Sequence, residues 1–385
     1  MQELLLLLYA NNFFSLANYI VLALLALCIF KDRGKLYIPR EGGFITLTIA
    51  CLSYMVLYIK NFGMPSSSSF FLRFIAPILL YYMGTVIGKD GNDRLRKCIL
   101  YIGIGGFFHG FLNIVTNRNV NFLLINGRQY NDIYGGTLSG TLQSLFFVVI
   151  CSLLFYFIFE EKNKWIKAGG ILCVLIGLYG SITNASRTLI FLTLIVFCAG
   201  IAIYQYEKTN FVTAVARTTG IALSLAIVTM VIIWLDLFNV QEWFAGTSLG
   251  QRAIMYGSSG SSIAQNDRWI YASQIMKLLP SNLLGGMDYP HYAHNLWVDV
   301  AKEAGVIPFI FFVCFALLSI KEGIKLLVDK KMQVFDKIFF ICTLLGLFMV
   351  FFTEPIMQGS PITFTIFCFV VGGVSSIIRI QKTDS

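Results

Sequence analysis

The chain has 385 residues, of which 57% are hydrophobic and only 13% charged, against about 25% charged in an ordinary soluble domain. Its formal net charge of +9 is spread over separate short loops rather than gathered on one face, which argues against a nucleic-acid partner. A soluble fold is excluded as well: apolar runs of about 17 to 25 residues suit helices crossing ~30 Å of hydrocarbon, where the backbone must satisfy its own hydrogen bonds.

In chain order the spans are expected at 13–30, 43–59, 70–88, 98–115, 133–159, 166–183, 188–204, 212–238, 304–320, 337–353 and 361–380. The expected fold class is therefore all-α, a polytopic integral membrane protein with about eleven transmembrane helices (ten to twelve). Residues 1–385 form a single transmembrane domain in this reading. Leu4 to Leu8 are apolar too, so residues 1–12 lie in the interface or form a partial extra span. No basic segment opens the chain and no small-residue cleavage site is clear, so no cleavable signal peptide is expected. The nine cysteines fall within or beside these spans, without CxxC or metal spacing, and read as small packing hydrophobes.

Lys and Arg set the orientation. One set of loops is rich in both: Lys31, Arg33, Lys35 and Arg40; Lys89, Arg94, Arg96 and Lys97; Lys162, Lys164 and Lys167; Lys321, Lys325, Lys330, Lys331 and Lys337. That side is expected to be cytoplasmic, with the C-terminus inside and the N-terminus outside. The other side carries Lys60, Arg73, Arg118, Arg128, Arg187, Arg252, Arg268, Lys277 and Lys302. Arginine predominates there. Topology needs only charge, whereas a guanidinium adds a planar fork that grips phosphate at two points. A phosphorylated or carboxylated ligand on the outer side is implied, set against arginines that merely snorkel to the interface. Arg73 lies four residues into its span and is able to snorkel; Arg187 sits in a turn of a few residues and cannot move far. His109, toward the outer end of the fourth span, reads as a helix-packing hydrogen-bond donor.

The largest polar segment is the outer loop at about 239–303, between the eighth and ninth spans. Gly246 to Arg252 and Gly257 to Ser262 read as flexible loop. Residues 266–279 read as a short interfacial helix with Trp269, Ala272, Met276 and Leu279 on one face, capped by Asn266 or Asp267 and stopped by Pro280. Gly285-Gly286 permits a tight turn. Then comes Asp288-Tyr-Pro-His291-Tyr-Ala-His294-Asn295, which holds two of the chain's three histidines, and helix resumes from Asn295 toward the membrane near Ala304.

Several of these elements together resemble the O-antigen ligase and O-antigen polymerase superfamily of bacterial membrane glycosyltransferases. The ligase-type signature is a histidine, then Asn, Ser or Gln, nine residues, a glycine, two residues, and Gly, Thr or Tyr. Here His294-Asn295 is followed by residues 296–304 and Gly305, with Pro308 departing at the last position. Arg268-Trp269 with Pro280 and Gly285-Gly286 resembles the family's arginine-to-glycine stretch. Ser186-Arg187 resembles its serine-arginine element, and Gly127-Arg128-Gln-Tyr-Asn131-Asp132 its arginine-containing outer loop. The resemblance covers about the last two-thirds of the chain.

It implies a glycan donor on polyprenyl (undecaprenyl) pyrophosphate, a glycan acceptor and a site on the outer face of the bacterial inner membrane. Pyrophosphate leaves well without a strong acid but needs positive charge. Arg187 and Arg268 are the expected catalytic cations, and Arg128, Arg252 and Arg73 are substrate-binding candidates. His294 is the expected general base, with His291 supporting it or binding substrate. No cofactor is expected, and a metal is disfavoured. Asp288, His291 and His294 are spaced by three, but no Asp-x-Asp or His-Glu-x-x-His element appears. On a continuous helix Asp299 and Glu303 would also lie roughly 140° to 180° round from His294. Glu354 could pair with an outer arginine or orient the base, and Asp132 could pair with Arg128. The departure at Pro308 favours a polymerase of surface polysaccharide, with a chain-length regulator as an implied partner, over a ligase acting on lipid A core or protein. A flippase or transporter is the reading from another class, but no internal repeat or matched pair of broken spans supports it.

Overall fold

The structure, a computed structural model, describes residues 1–31, 39–118, 129–236, 239–258 and 267–383. It is almost entirely helical, with one small hairpin pairing Gln129–Asn131 to Thr137–Ser139. Among the described residues, eight helices are long and apolar enough to cross a membrane: Gly42–Phe62, Ser67–Gly88, Asn92–Thr116, Lys164–Thr183, Thr188–Lys208, Phe211–Trp234, Val306–Val328 and Pro361–Ile380. These lengths make the chain a multi-pass membrane protein.

Three expected spans take other forms. Ala17–Lys31 has 15 residues and Val334–Val350 has 17. The stretch expected as one span at 133–159 begins in the hairpin, turned by Gly135 and Gly136 at φ +94° and +91°. It continues as three short helices, Gly140–Leu145, Val148–Ser152 and Leu154–Phe159. Most of it is buried. Hydropathy measures apolar content, and a buried series of short turns has as much of it as one long helix. The first residues pack into protein: Gln2–Ala10 is helical, Leu6 and Tyr9 are fully buried, and Tyr9 bonds Thr365. All nine cysteines are free, six of them buried.

The chain divides into two compact units. The first comprises Met1–Gly106, Ser262–Lys331 and Leu347–Ser385; the second comprises Phe107–Ser261 and Met332–Gly346. In the first, the Ser67–Gly88 and Pro361–Thr383 helices touch backbone to backbone. A side chain at Gly84 would collide with the Phe369 carbonyl, one at Gly88 with the Gly373 carbonyl, and one at Gly372 with the Tyr81 carbonyl. Helices in lipid gain by such close approach, because burial from lipid offers no hydrophobic drive. In the second unit, Phe147 fills the space left by Gly110 and Gly177, and Lys337 pairs with Glu207.

Candidate active site

The segment 267–304 of the first unit is built around two helices. Asp267–Leu278 matches the expected segment and gives way at Pro280 to a 3-10 turn, Leu279–Ser281. Its packed face is Ala272, Ile275 and Leu279, set against Met287, Ala293, Ala301 and Val298. Trp269, expected as the interfacial anchor, and Met276 are 74% and 40% exposed, and Ile275 is the best-buried residue of the helix. Asn266 lies outside the described residues.

Gly285 and Gly286 then turn the chain with φ of +78° and +69°, values that glycine alone adopts without strain. The strand of loop that follows runs back along the next helix, Leu296–Ala304. Gly286 N–H donates to the Glu303 carbonyl (3.0 Å), Met287 N–H to the Lys302 carbonyl (3.2 Å) and Val306 N–H to the Leu283 carbonyl (2.9 Å). Carbonyls at the end of that helix are thereby satisfied. Asn61 adds a clamp from the Gly42–Phe62 helix, donating to the carbonyls of Leu284 and Glu303 (2.8 and 2.9 Å).

The Leu296–Ala304 helix starts as expected. The Asn295 side chain caps it by accepting from Val298 N–H (3.2 Å), and Gly305 at φ +83° ends it. Three charged residues on this helix are buried: Asp299 (1% exposed), Lys302 (6%) and Glu303 (3%). Each holds part of the histidine segment. Asp299 accepts the N–H groups of Ala293 (2.7 Å) and Asn295 (3.1 Å). Lys302 donates to the His291 carbonyl (3.2 Å) and lies over the Tyr292 ring (4.2 Å). Glu303 accepts from Tyr292 (3.3 Å) and, in a shorter bond, from Tyr54. Burial pushes the Asp299 carboxyl up to about 6; Glu303 adds to that, while the two amide bonds and His294 oppose it. Burial also lowers Lys302, and burial together with Glu303 raises Tyr292 to about 12. The helical-wheel argument separating Asp299 from His294 fails because His294 is not on the helix. It precedes the cap, with φ +55°.

His294 meets a carboxylate from a distant part of the chain. Its Nδ1 is buried and lies 3.8 Å from Glu354 Oε2. The side chain is 34% exposed, so its open part is the remainder of the ring, which includes Nε2. Glu354 sits in the turn after Val334–Val350, and its side chain is 1% exposed. Leu296 N–H donates to the Phe351 carbonyl (2.8 Å), tying this turn to the start of the Leu296–Ala304 helix. Arg268 approaches the other carboxylate oxygen, Oε1, at 3.7 Å and donates from Nη1 to the Thr353 carbonyl at 2.6 Å. One buried carboxylate thus faces an imidazole and a guanidinium, each about a third exposed.

His291 is exposed; its ring stacks on Tyr271 (4.5 Å, 12°) and meets Tyr289 edge-on (5.9 Å). Arg73 lies in a π-helical stretch, Phe71–Ile75, where it donates to the Tyr58 hydroxyl (3.3 Å). Arg187 belongs to the second unit, exposed at the N-cap of Thr188–Lys208. Arg252 falls in the Ser248–Ser258 helix, but its side chain lies outside the described residues, as does Arg128 entirely. Asp132 accepts from His109 (2.5 Å) and Asn113 (3.1 Å). Among the described residues no three of His, Cys, Asp and Glu gather as a metal-binding set.

Sequence reasoning reached Arg268, His294 and, as one possibility, Glu354. It missed that Asp299, Lys302 and Glu303 brace the histidine segment. Their signal was spacing: i, i+3 and i+4 place three charges along one side of a short helix. No protein-family model and no curated protein sequence matches the chain, so its function is argued from the meeting of Arg268, Glu354 and His294.

Proposed function

We propose that this protein is a bacterial membrane glycosyltransferase, a polymerase that joins polyprenyl-pyrophosphate-linked glycan units at the outer face of the cytoplasmic membrane. The observation that carries the proposal is the shared Glu354 carboxylate between His294 and Arg268. A carboxylate behind Nδ1 orients an imidazole and stabilises its charged form, leaving Nε2 to take a proton. In the proposed reaction an acceptor sugar hydroxyl gives its proton to His294 Nε2. Its oxygen bonds the donor's anomeric carbon, and the bond from that carbon to the pyrophosphate oxygen breaks, with the electron pair leaving on pyrophosphate and the anomeric centre inverted. A guanidinium in a water-poor site stabilises that developing charge. Arg268 is the first choice. Arg187 is a second, carried by the sequence resemblance alone, as are Arg128, Arg252, Arg73 and His291 as substrate contacts.

The same proposal takes an eleven-pass topology with the 239–303 segment outside, no metal requirement, and a chain-length regulator as partner. The test is reconstitution with a lipid-linked repeat unit. Wild-type protein extends it, in the presence of chelator, and His294→Ala inserts normally but makes no polymer. Polymer of normal length and yield from His294→Ala would refute the base assignment. In cells, a single repeat unit left on the final acceptor marks lost polymerisation, whereas long polymer left on the carrier lipid would mark a ligase instead.

A further inference from the structure

We propose that Asp299 is the positioning residue of this site: its carboxylate, by accepting the backbone N–H groups on both sides of His294, holds that histidine in a left-handed conformation and aims Nδ1 at Glu354. The inference takes its meaning from the reading of His294 as proton acceptor, but its geometry stands apart from the reaction. A histidine at φ +55° is strained and persists only where its surroundings over-determine it. Here they do. Ala293 N–H goes to Oδ1 and Asn295 N–H to Oδ2, so both oxygens are used and His294 is bracketed. An ionised carboxylate is the group this needs, since it only accepts. Protonated, one of its oxygens would carry a donor toward an N–H that already points at it. Asparagine has the same fault at every pH.

The charged and titratable groups around Asp299 are Glu303 and Lys302 on its own helix and His294 in the preceding segment. Packed against that helix, Gly42–Phe62 brings Tyr54, which is bonded to Glu303, and Asp267–Leu278 brings Arg268, which faces Glu354. The first turns of Val306–Val328 (306–313) and the short Ile356–Gly359 turn bring none. A carboxylate in the first turn of a helix is ordinarily accounted for by the helix dipole, but that role needs neither amide bond nor any effect on a neighbouring ring.

Three histidines give three ring signals, so 15N-histidine spectra of the purified full chain in lipid nanodiscs test the proposal without any substrate. His109→Gln and His291→Gln assign the signals. Glu354→Gln should displace the His294 ring-nitrogen resonances in the wild-type background and leave them nearly still in Asp299→Asn, because the ring no longer faces residue 354. Unmoved His109 and His291 signals report an intact fold. Equal displacement by Glu354→Gln in both backgrounds would overturn the proposal. Should Asp299→Asn fail to fold, wild type alone decides: deuterium uptake over 291–296, corrected for intrinsic exchange, should rise several-fold as pH falls through about 6, and a flat profile would overturn it. A failed polymerisation assay leaves both readouts intact, so the two proposals fall separately.

Discussion

Among the described residues two imidazole–carboxylate pairs occur, one in each unit, and they are built to opposite designs. His109 is fully buried, its Nε2 2.5 Å from Asp132, its ring stacked on Phe146 at 3.9 Å, with Asn113 on the same carboxylate oxygen. His294 is a third exposed, 3.8 Å from its carboxylate, on strained backbone, with an arginine at the other oxygen. The first pair is closed on both sides and ties the small hairpin to a membrane helix. The second keeps one ring edge open and spends its packing on aim. Burial and bond length alone would rank the first as the stronger interaction; openness and strain mark the second as the one available for chemistry.

The sharpest break in that contrast comes from removing each ring. His294→Ala should lower transfer by a factor on the order of a hundred to ten thousand while thermal stability holds, measured on reconstituted protein. Glu354→Gln should retain some activity but lose on the order of ten- to a hundred-fold, as removal of an orienting partner does elsewhere. His109→Phe should do the reverse, leaving activity per folded molecule near wild type. It takes the histidine from a half-buried carboxylate and leaves it Asn113, so it should cost about 1–3 kcal/mol of stability, read by detergent-exchange melting. Equal activity loss at both histidines would erase the distinction drawn here.

Acid provides the mildest probe. Burial works to raise Asp132, but His109 and Asn113 outweigh it and hold the carboxyl below its ordinary 3.8. A depressed folded-state value contributes stability above the unfolded value and loses it as pH falls through the folded one, so the hairpin should stay anchored through pH 5. Asp299 has the opposite sign. Its folded value, raised to about 6, means the folded state binds that proton more tightly. Wild type should therefore gain stability relative to Asp299→Asn between pH 7.5 and 5, even as the His294 segment loosens. Melting curves at the two pH values, alongside exchange over 129–139 and 291–296, check both directions.

Much of the fold was legible from run length and loop chemistry. Pro280, the Gly285-Gly286 turn and the Asn295 cap each lie where their local preferences place them. The stretch at 133–159 was not legible, because its interruptions leave hydropathy unchanged. Nor does hydropathy predict packing. Pro361–Ile380 and Phe211–Trp234 are about equally apolar, yet the first is almost wholly buried and the second is exposed along most of its length. Gly372 and Gly373 admit a neighbour's backbone, whereas Ile227, Val228, Met230 and Val231 present bulk. Composition by size, rather than by polarity, carried that information. Of the site, Arg268 and His294 were visible because charged and titratable side chains are scarce in such a chain. The role of Asp299 was hidden by one backbone angle, since a wheel drawn through His294 presumes that it lies on the helix.

The glycine seam between Ser67–Gly88 and Pro361–Thr383 bears on how the first unit is made. Its two halves are separated by most of the chain, so the early helices leave the translocon long before their tightest partner has been synthesised. Until then the Gly84 and Gly88 grooves stand open to lipid or to chance neighbours. Nascent chains arrested before residue 361 should form lipid cross-links from a photoreactive residue in the 80–88 stretch, and these should fade once the late helix has slotted in.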